Sequence, residues 1–201
     1  MKVSVHPTAI PDVLIVDHEV FEDGRGFFLE VFREDLFAEY AALGLPNRFV
    51  QLNHSGSVRG VTRGLHFQWD PPMGKLMRVT RGEAFLVAVD IRPGSPTLGQ
   101  HVSLVANERN RLQLWAPATF ARGFAALGEV TEVQYLTTGT YNRDGEGGIL
   151  WNDPALGIDW PLSDPIVSAK DAAAPTLADW LTRPEAAHFR MPGPEPTSGT
   201  G

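Results

Sequence analysis

The chain has 201 residues and a formal net charge of −7, from 17 Lys and Arg against 24 Asp and Glu. That acidic balance argues against general nucleic-acid binding, which relies on a broad basic surface, while leaving room for a small anion where a few cations converge. There are no cysteines, so disulfides, thiolate nucleophiles and cysteine-ligated metals are excluded. A 43% hydrophobic and 20% charged composition is that of a soluble domain able to bury a sizeable core. The longest apolar runs, such as Phe85-Leu86-Val87-Ala88-Val89, are short. They predict no membrane span, and with no signal peptide to be read the expected location is the cytoplasm.

Glycine (20) and proline (16) recur as punctuation between short β-rich runs. In chain order those runs are 13–16, 27–32, 48–52, 76–80, 84–91, 100–104, 111–115, 123–127 and 131–137. Turn signals such as Asp23-Gly24, Arg81-Gly82, Pro93-Gly94 and Leu127-Gly128 bound them. Many short strands at regular spacing predict a mainly all-β domain, a sandwich or a barrel. Residues 34–43 carry Leu36, Phe37, Tyr40 and Leu43 at helical spacing and predict a helix; 176–181 predicts a second, shorter one. Apolar side chains at nearly every position of 84–91 predict a strand buried on both faces, as in a jelly roll whose interior also forms a pocket. Residues 1–187 read as one domain. Residues 188–201, rich in Pro, Gly, Ser and Thr, read as a flexible tail.

The chemistry concentrates in Arg63-Gly64-Leu65-His66-Phe67-Gln68. As a strand, this segment places Arg63, Leu65 and Phe67 on one face and Gly64, His66 and Gln68 on the other. A lone strand histidine is ordinarily a packed or exposed residue, so its meaning depends on the rest of the chain. Before it come Asp23-Gly24-Arg25-Gly26-Phe27-Phe28-Leu29-Glu30 and Gln51-Leu52-Asn53. After it come Lys75-Leu76, Gly82-Glu83, Val87-Ala88-Val89-Asp90-Ile91-Arg92-Pro93-Gly94-Ser95-Pro96-Thr97 and Phe120-Ala121-Arg122-Gly123-Phe124. Tyr135, Trp151-Asn152-Asp153-Pro154 and Ser168-Ala169-Lys170-Asp171 complete the series. In this order, from about Val13 to Trp180, the motifs resemble the dTDP-4-dehydrorhamnose 3,5-epimerase family of nucleotide-sugar epimerases.

The resemblance implies a cupin-like jelly-roll β-sandwich with a few short helices, a homodimer, and neither metal nor cofactor. It implies a dTDP-linked 4-keto-6-deoxy sugar as substrate. In dTDP-4-dehydro-6-deoxy-D-glucose the C4 ketone acidifies the C–H bonds at C3 and C5, and inverting both centres gives dTDP-4-dehydro-L-rhamnose. By resemblance His66 is the base, Asp171 its orienting carboxylate, Lys75 the cation near the C4 oxygen, and Tyr135 the proton donor on the opposite face. The residue types suit those roles: imidazole titrates near neutrality, a cation steadies an enolate, and tyrosine, with a pKa of about 10, is protonated at neutral pH. Arg25 and Arg63 match phosphate ligands. Glu30, Gln51, Asn53, Glu146 and Lys170 match further contacts to nucleotide or sugar, and Phe27 and Tyr141 are stacking partners for the thymine.

Two positions depart from the family pattern. Arg122 stands where a second pocket histidine is usual, and Leu86 where an aspartate is usual. A histidine and a carboxylate on neighbouring strands can pair, so the two losses are read as linked. Arginine cannot act as a base or accept a hydrogen bond; Arg122 can bind sugar oxygens, the enolate or the diphosphate. This leaves a mono-epimerase, acting at C3 or at C5 alone, as the alternative activity. A metal-dependent cupin needs two or three histidines with a carboxylate, and Phe67-Gln68 follow His66 instead. A non-catalytic sugar-nucleotide binder would have no use for His66, Tyr135, Lys75 and Asp171 together.

Overall fold

A computed structural model of the chain describes residues 2–191. Its β-branched and aromatic runs form fourteen strands in chain order. The first seven are β1 (Val3–Pro7), β2 (Leu14–His18), β3 (Phe21–Asp23), β4 (Gly26–Phe28), β5 (Gln51–Val58), β6 (Val61–Gln68) and β7 (Lys75–Arg81). The rest are β8 (Glu83–Asp90), β9 (His101–Asn107), β10 (Gln113–Ala116), β11 (Phe120–Ala126), β12 (Val130–Thr137), β13 (Glu146–Gly148) and β14 (Ile166–Val167). One six-stranded sheet runs β1-β2-β10-β7-β12-β5. The other runs β13-β6-β11-β8-β9, with the short β14 parallel to β6. Strands β3 and β4 form a separate hairpin. The two sheets are the halves of a β-sandwich, one of the two architectures that the spacing of the short runs predicts.

Three apolar layers hold it together. Between the sheets, Met77, Val79, Leu114 and Val133 meet Ala84, Leu86, Ala88, Phe120 and Phe124. On the outer face of the second sheet, Leu65, Phe67, Val87, Val89 and Ile91 pack against Leu177, Trp180 and Phe189. On the outer face of the first sheet, Leu14, Val16, Leu76 and Trp115 are covered by Phe37 and Leu45. Each large side chain buried in these layers contributes roughly 1.5–3 kcal/mol. Strand β8 is therefore buried on both faces, as its continuous apolar run predicts. Its second face is sealed by the C-terminal segment, namely helix α3 (Leu177–Leu181) and the 3₁₀ turn Pro184–Phe189.

Three expectations are corrected. The helix expected over 34–43 splits into α1 (Glu34–Ala38) and a 3₁₀ turn, Ala41–Leu43, closed by Gly44 at φ 87°. Tyr40 leaves helical geometry because its hydroxyl is tied to the Val3 carbonyl on β1. The domain boundary expected at 188 falls inside Pro184–Phe189, where Phe189 is 2% exposed between Phe67 and Trp180. The packed chain thus runs past that boundary, and residues 192–201 of the expected tail lie outside the described residues.

The third correction shapes the site. Strand β11 pairs Arg122 with His66 but Phe124 with Arg63, so three steps along β6 match two along β11. This β-bulge inserts one extra residue and inverts the alternation of faces. Arg63, expected opposite His66, lines the same cavity instead. The bulge needs glycine at its centre. Gly64 has φ +119°, and a Cβ there would stand 2.6 Å from Gly123 Cα and 2.8 Å from the Arg122 carbonyl oxygen. Both obstacles are backbone and cannot swing away. Gly64→Ala is expected to cost about 2–4 kcal/mol, read as a fall in the urea midpoint at constant slope.

Candidate active site

A cavity of about 450 Å³ lies between the sheets. Its wall carries Arg63, Lys75, Arg122 and Lys170, and a single carboxylate, Asp171. An acidic chain thus encloses a basic pocket. His66 comes to it from β6 and Arg122 from β11, while Lys75 and Tyr135 come from β7 and β12 of the facing sheet. Histidine and tyrosine therefore stand on opposite walls of the cavity.

Asp171 sits in helix α2 (Ala169–Ala172) and is brought to the cavity by the cap of that turn, where Ser168 Oγ accepts the Asp171 N–H at 3.1 Å. Its Oδ1 lies 2.6 Å from His66 Nε2, and its Oδ2 accepts the Gly64 N–H at 3.2 Å. Burial pushes the Asp171 carboxyl up. The His66 ring, the Gly64 N–H and Ser168 outweigh it and hold the group below the usual carboxylate range. An ionised carboxylate only accepts, so Nε2 carries the proton and the Nδ1 lone pair remains for use as a base. Ser168 caps the turn, which leaves both Asp171 oxygens to His66 and Gly64.

Lys75 reaches over the Tyr135 ring, its Nζ 4.9 Å from the ring centre. Burial, reinforced by the charge of Arg122 and opposed by Glu146, lowers its pKa from 10.5 to about 7. Burial raises the Tyr135 hydroxyl above its ordinary value, against a smaller pull from Arg63, so tyrosine enters neutral pH protonated. Arg63 is steadied by Ser57 Oγ (3.1 Å) and the Gly56 carbonyl (3.2 Å), with no carboxylate competing for it among the described contacts. Arg122 is 2% exposed; burial lowers its pKa to about 9, so it stays charged at neutral pH.

The remaining expected ligands fall into two groups. Lys170 pairs with Glu146 at 2.5 Å, Glu146 accepts from the Tyr141 hydroxyl at 3.1 Å, and the Tyr141 N–H donates to Gln51 Oε1 at 3.0 Å. Gln51 in turn donates to Asn53 Oδ1 at 2.8 Å, which makes one polar chain running from the cavity wall to β5. Arg25, Phe27 and Glu30 are not brought to this cavity by their own chain. Arg25 pairs with Asp23, Phe27 lies 4.1 Å under the Arg111 guanidinium, and Glu30 pairs with Arg33 at 3.1 Å. Leu86 is fully buried in the core. On β8 it pairs with Phe124 while Ala88 pairs with Arg122, so Leu86 and Arg122 are diagonal neighbours on adjacent strands.

Two contributors escaped sequence reading. The Gly64 N–H acts through backbone and leaves no side-chain signal. Ser168 does leave one, since Ser168-Ala169-Lys170-Asp171 has the S-x-x-D spacing of a capped turn. Trp151-Asn152-Asp153-Pro154 is a structural turn, with Asp153 accepting from the Ala155 and Leu177 N–H groups. Histidines outside the motifs serve the fold: His18 meets Gln113, His54 meets Glu132, and His101 meets the Leu156 carbonyl. Among the described residues no group of three or more His, Asp or Glu is placed to hold a metal, and no helix is long and apolar enough to cross a membrane.

Comparison with known proteins points one way. Residues 7–179 match the family model described as dTDP-4-dehydrorhamnose 3,5-epimerase. The Salmonella typhimurium dTDP-4-dehydrorhamnose 3,5-epimerase is 52% identical over 172 residues, which cover 85% of this chain and 93% of that one. The Neisseria gonorrhoeae protein of the same name is 51% identical, and there the chain spans about half of its relative, 52%. A crystal structure of the Legionella pneumophila dTDP-6-deoxy-D-glucose-3,5-epimerase in complex with dTDP-4-keto-L-rhamnose superimposes with a TM-score of 0.87 at 40% identity, covering 96% of this chain and all of the other.

The lysine sets a pH dependence. Unfolded, Lys75 keeps its proton to about 10.5; folded, it releases it near 7. Between those values the unfolded state binds the extra proton, so this group adds stability as pH rises through the window. Lys75→Met is expected to be more stable than wild type at pH 6, with the advantage shrinking toward pH 10 when melting is followed by calorimetry.

Proposed function

The chain belongs to the dTDP-4-dehydrorhamnose 3,5-epimerase family, and we propose that it is a cofactor-independent isomerase. On this reading it converts dTDP-4-dehydro-6-deoxy-D-glucose to dTDP-4-dehydro-L-rhamnose. The observation that carries the reading is the His66–Asp171 pair on one wall of a cation-lined cavity, with Tyr135 on the other.

His66 Nδ1 takes the proton from the carbon next to the ketone. The C–H electron pair becomes a C=C bond, and the carbonyl pair moves onto the C4 oxygen. Asp171 acts as a positioning residue, holding the tautomer and steadying the imidazolium. General-base catalysis of this kind contributes typically ~10²–10⁴-fold. Tyr135 then gives a proton to the opposite face, the charge leaves the C4 oxygen, and the centre is inverted. Exchange with water returns tyrosine and histidine to their starting states, so no redox partner is consumed. Arg63 and Lys170 attract the diphosphate, with Glu146, Gln51, Asn53 and Tyr141 placed for the nucleotide and sugar at the cavity edge.

The reading includes a cytoplasmic homodimer. Phe21, Phe27 and Phe28 are 47%, 57% and 58% exposed on the β3–β4 hairpin, and an isolated two-stranded hairpin is marginal by itself. Arg25 and Phe27 then contact a nucleotide in the partner's cavity rather than in their own. Inversion at C3 or C5 alone uses the same base and acid and differs only in how the ring is placed.

In D₂O, wild type is expected to exchange the protons at both C3 and C5 of dTDP-4-dehydro-6-deoxyglucose, followed by NMR. His66→Asn should lose both exchanges, and Tyr135→Phe should form product more slowly than it exchanges. Exchange at one carbon identifies a mono-epimerase; exchange at neither sinks the substrate assignment. Arg25→Ala and His66→Asn, each nearly inactive, should regain about a quarter of wild-type activity when refolded together, because half the dimers then hold one intact site. A mixture no more active than its parts rules out sharing of the hairpin.

A further inference from the structure

Arg122 has a feature that the proton transfers leave unused. Its Nη1 donates to the carbonyls of Met73 at 2.7 Å and Pro117 at 2.9 Å, with Ala116 at 3.4 Å. These contacts fix the guanidinium plane. The other edge, Nε with Nη2, is buried and has no partner. The residue nevertheless lines the same cavity as Lys75 and Tyr135. On β8 the residue paired with it is Ala88, with Leu86 at one diagonal and Asp90 at the other, and the Asp90 carboxylate is already taken up by Arg92, Ser95 and Thr97. A two-pronged donor edge shut from bulk water is costly unless an acceptor arrives. The cavity that Arg122 lines is the route by which an acceptor can enter, and an oxygen that carries charge compensates a guanidinium best.

We propose that Arg122 is a catalytic oxyanion donor, its Nε/Nη2 edge taking the sugar's C4 oxygen as that atom gains charge in the enolate. This rests on the epimerase reading. When the C–H pair forms the C=C bond and the carbonyl pair shifts to the C4 oxygen, Arg122 meets the new charge without giving up a proton. When Tyr135 protonates the carbon, the charge withdraws. A histidine in this place can donate, accept and exchange protons; arginine only donates. Arg122 also bears on its neighbour, since its charge adds to burial in discharging Lys75. The charge that persists beside the C4 oxygen across neutral pH is therefore that of Arg122.

The test compares wild type, Arg122→Gln and Arg122→Lys on dTDP-4-dehydro-6-deoxyglucose, following turnover and C3/C5 exchange in D₂O, with dTDP affinity measured by calorimetry. Arg122→Gln is expected to lower kcat and exchange ~100-fold or more, with KM and dTDP affinity within about threefold of wild type. Arg122→Lys, which keeps charge but loses the fork, is expected to regain at least about tenfold of that loss. A glutamine variant within about fivefold of wild type, or a loss confined to KM or dTDP affinity, overturns the proposal. Should the glutamine variant fail to fold, the lysine variant decides: kcat about tenfold down at unchanged KM supports the role, and an unchanged kcat removes it. Wild type that exchanges neither proton defeats the epimerase reading and this proposal together; wild type that exchanges while Arg122→Gln matches it defeats this proposal alone.

Discussion

The two oxygens of Asp171 hold different parts of the molecule. One accepts from the His66 ring and the other from the Gly64 N–H at the centre of the β6 bulge, 105 and 107 residues away in the chain. The first contact sets which ring nitrogen is free to act as a base. The second ties down the backbone that inverts the alternation of faces and turns Arg63 toward His66. The histidine, the bulge and the cavity-facing Arg63 therefore depend on one carboxylate. That carboxylate is itself ionised because three donors outweigh its burial. Tight backbone contact between Gly64 and Gly123 lets β6 and β11 approach closely enough for the arrangement to exist.

Electrostatics in the cavity run against the charge of the whole chain. Net charge is −7, yet four cations and one carboxylate line the wall. Holding an anion needs only this local field, since low-dielectric walls focus it. Leu86 adds no charge beside Arg122 on β8, and the Asp90 carboxylate at the other diagonal is taken up by Arg92, Ser95 and Thr97, so that strand does not offset the arginine. The consequence falls on Lys75, which burial and Arg122 together bring close to half-charged at neutrality. A pocket built this way holds one cation that titrates and another that does not.

Much of this was legible in the residues. The apolar run at 84–91 announced a strand buried on both faces, and the ordered motifs announced the sandwich and its central pair. What stayed hidden has physical reasons. Period-2 alternation assigned Arg63 to the wrong face because a bulge is a property of two strands in register, and only one of them is visible locally. Helical spacing over 34–43 was correct up to Ala38; the Tyr40 hydroxyl then found a carbonyl on β1 that no local pattern reveals. The stretch from 188, rich in Pro, Gly, Ser and Thr, read as a tail because Phe189 owes its burial to Phe67 and Trp180, contacts that composition does not reveal. Arg25 and Phe27 matched the motif and still lie outside the cavity of their own chain, since a motif records residue types and their order and not where the folded chain carries them.

The late position of Asp171, Trp180 and Phe189 has a consequence for how the protein is made. Synthesis proceeds from the N-terminus, so Arg63, His66, Lys75, Arg122 and Tyr135 all emerge before the carboxylate that organises them. A nascent chain short of Asp171 carries most of the cations of the pocket. It lacks the group that sets the imidazole, and the outer faces of β6 and β8 are still bare of their aromatic cover. Long-range closure of this kind is slow compared with local pairing. The His66–Asp171 pair is thus absent from unfinished chains, and it forms together with the segment that completes the fold.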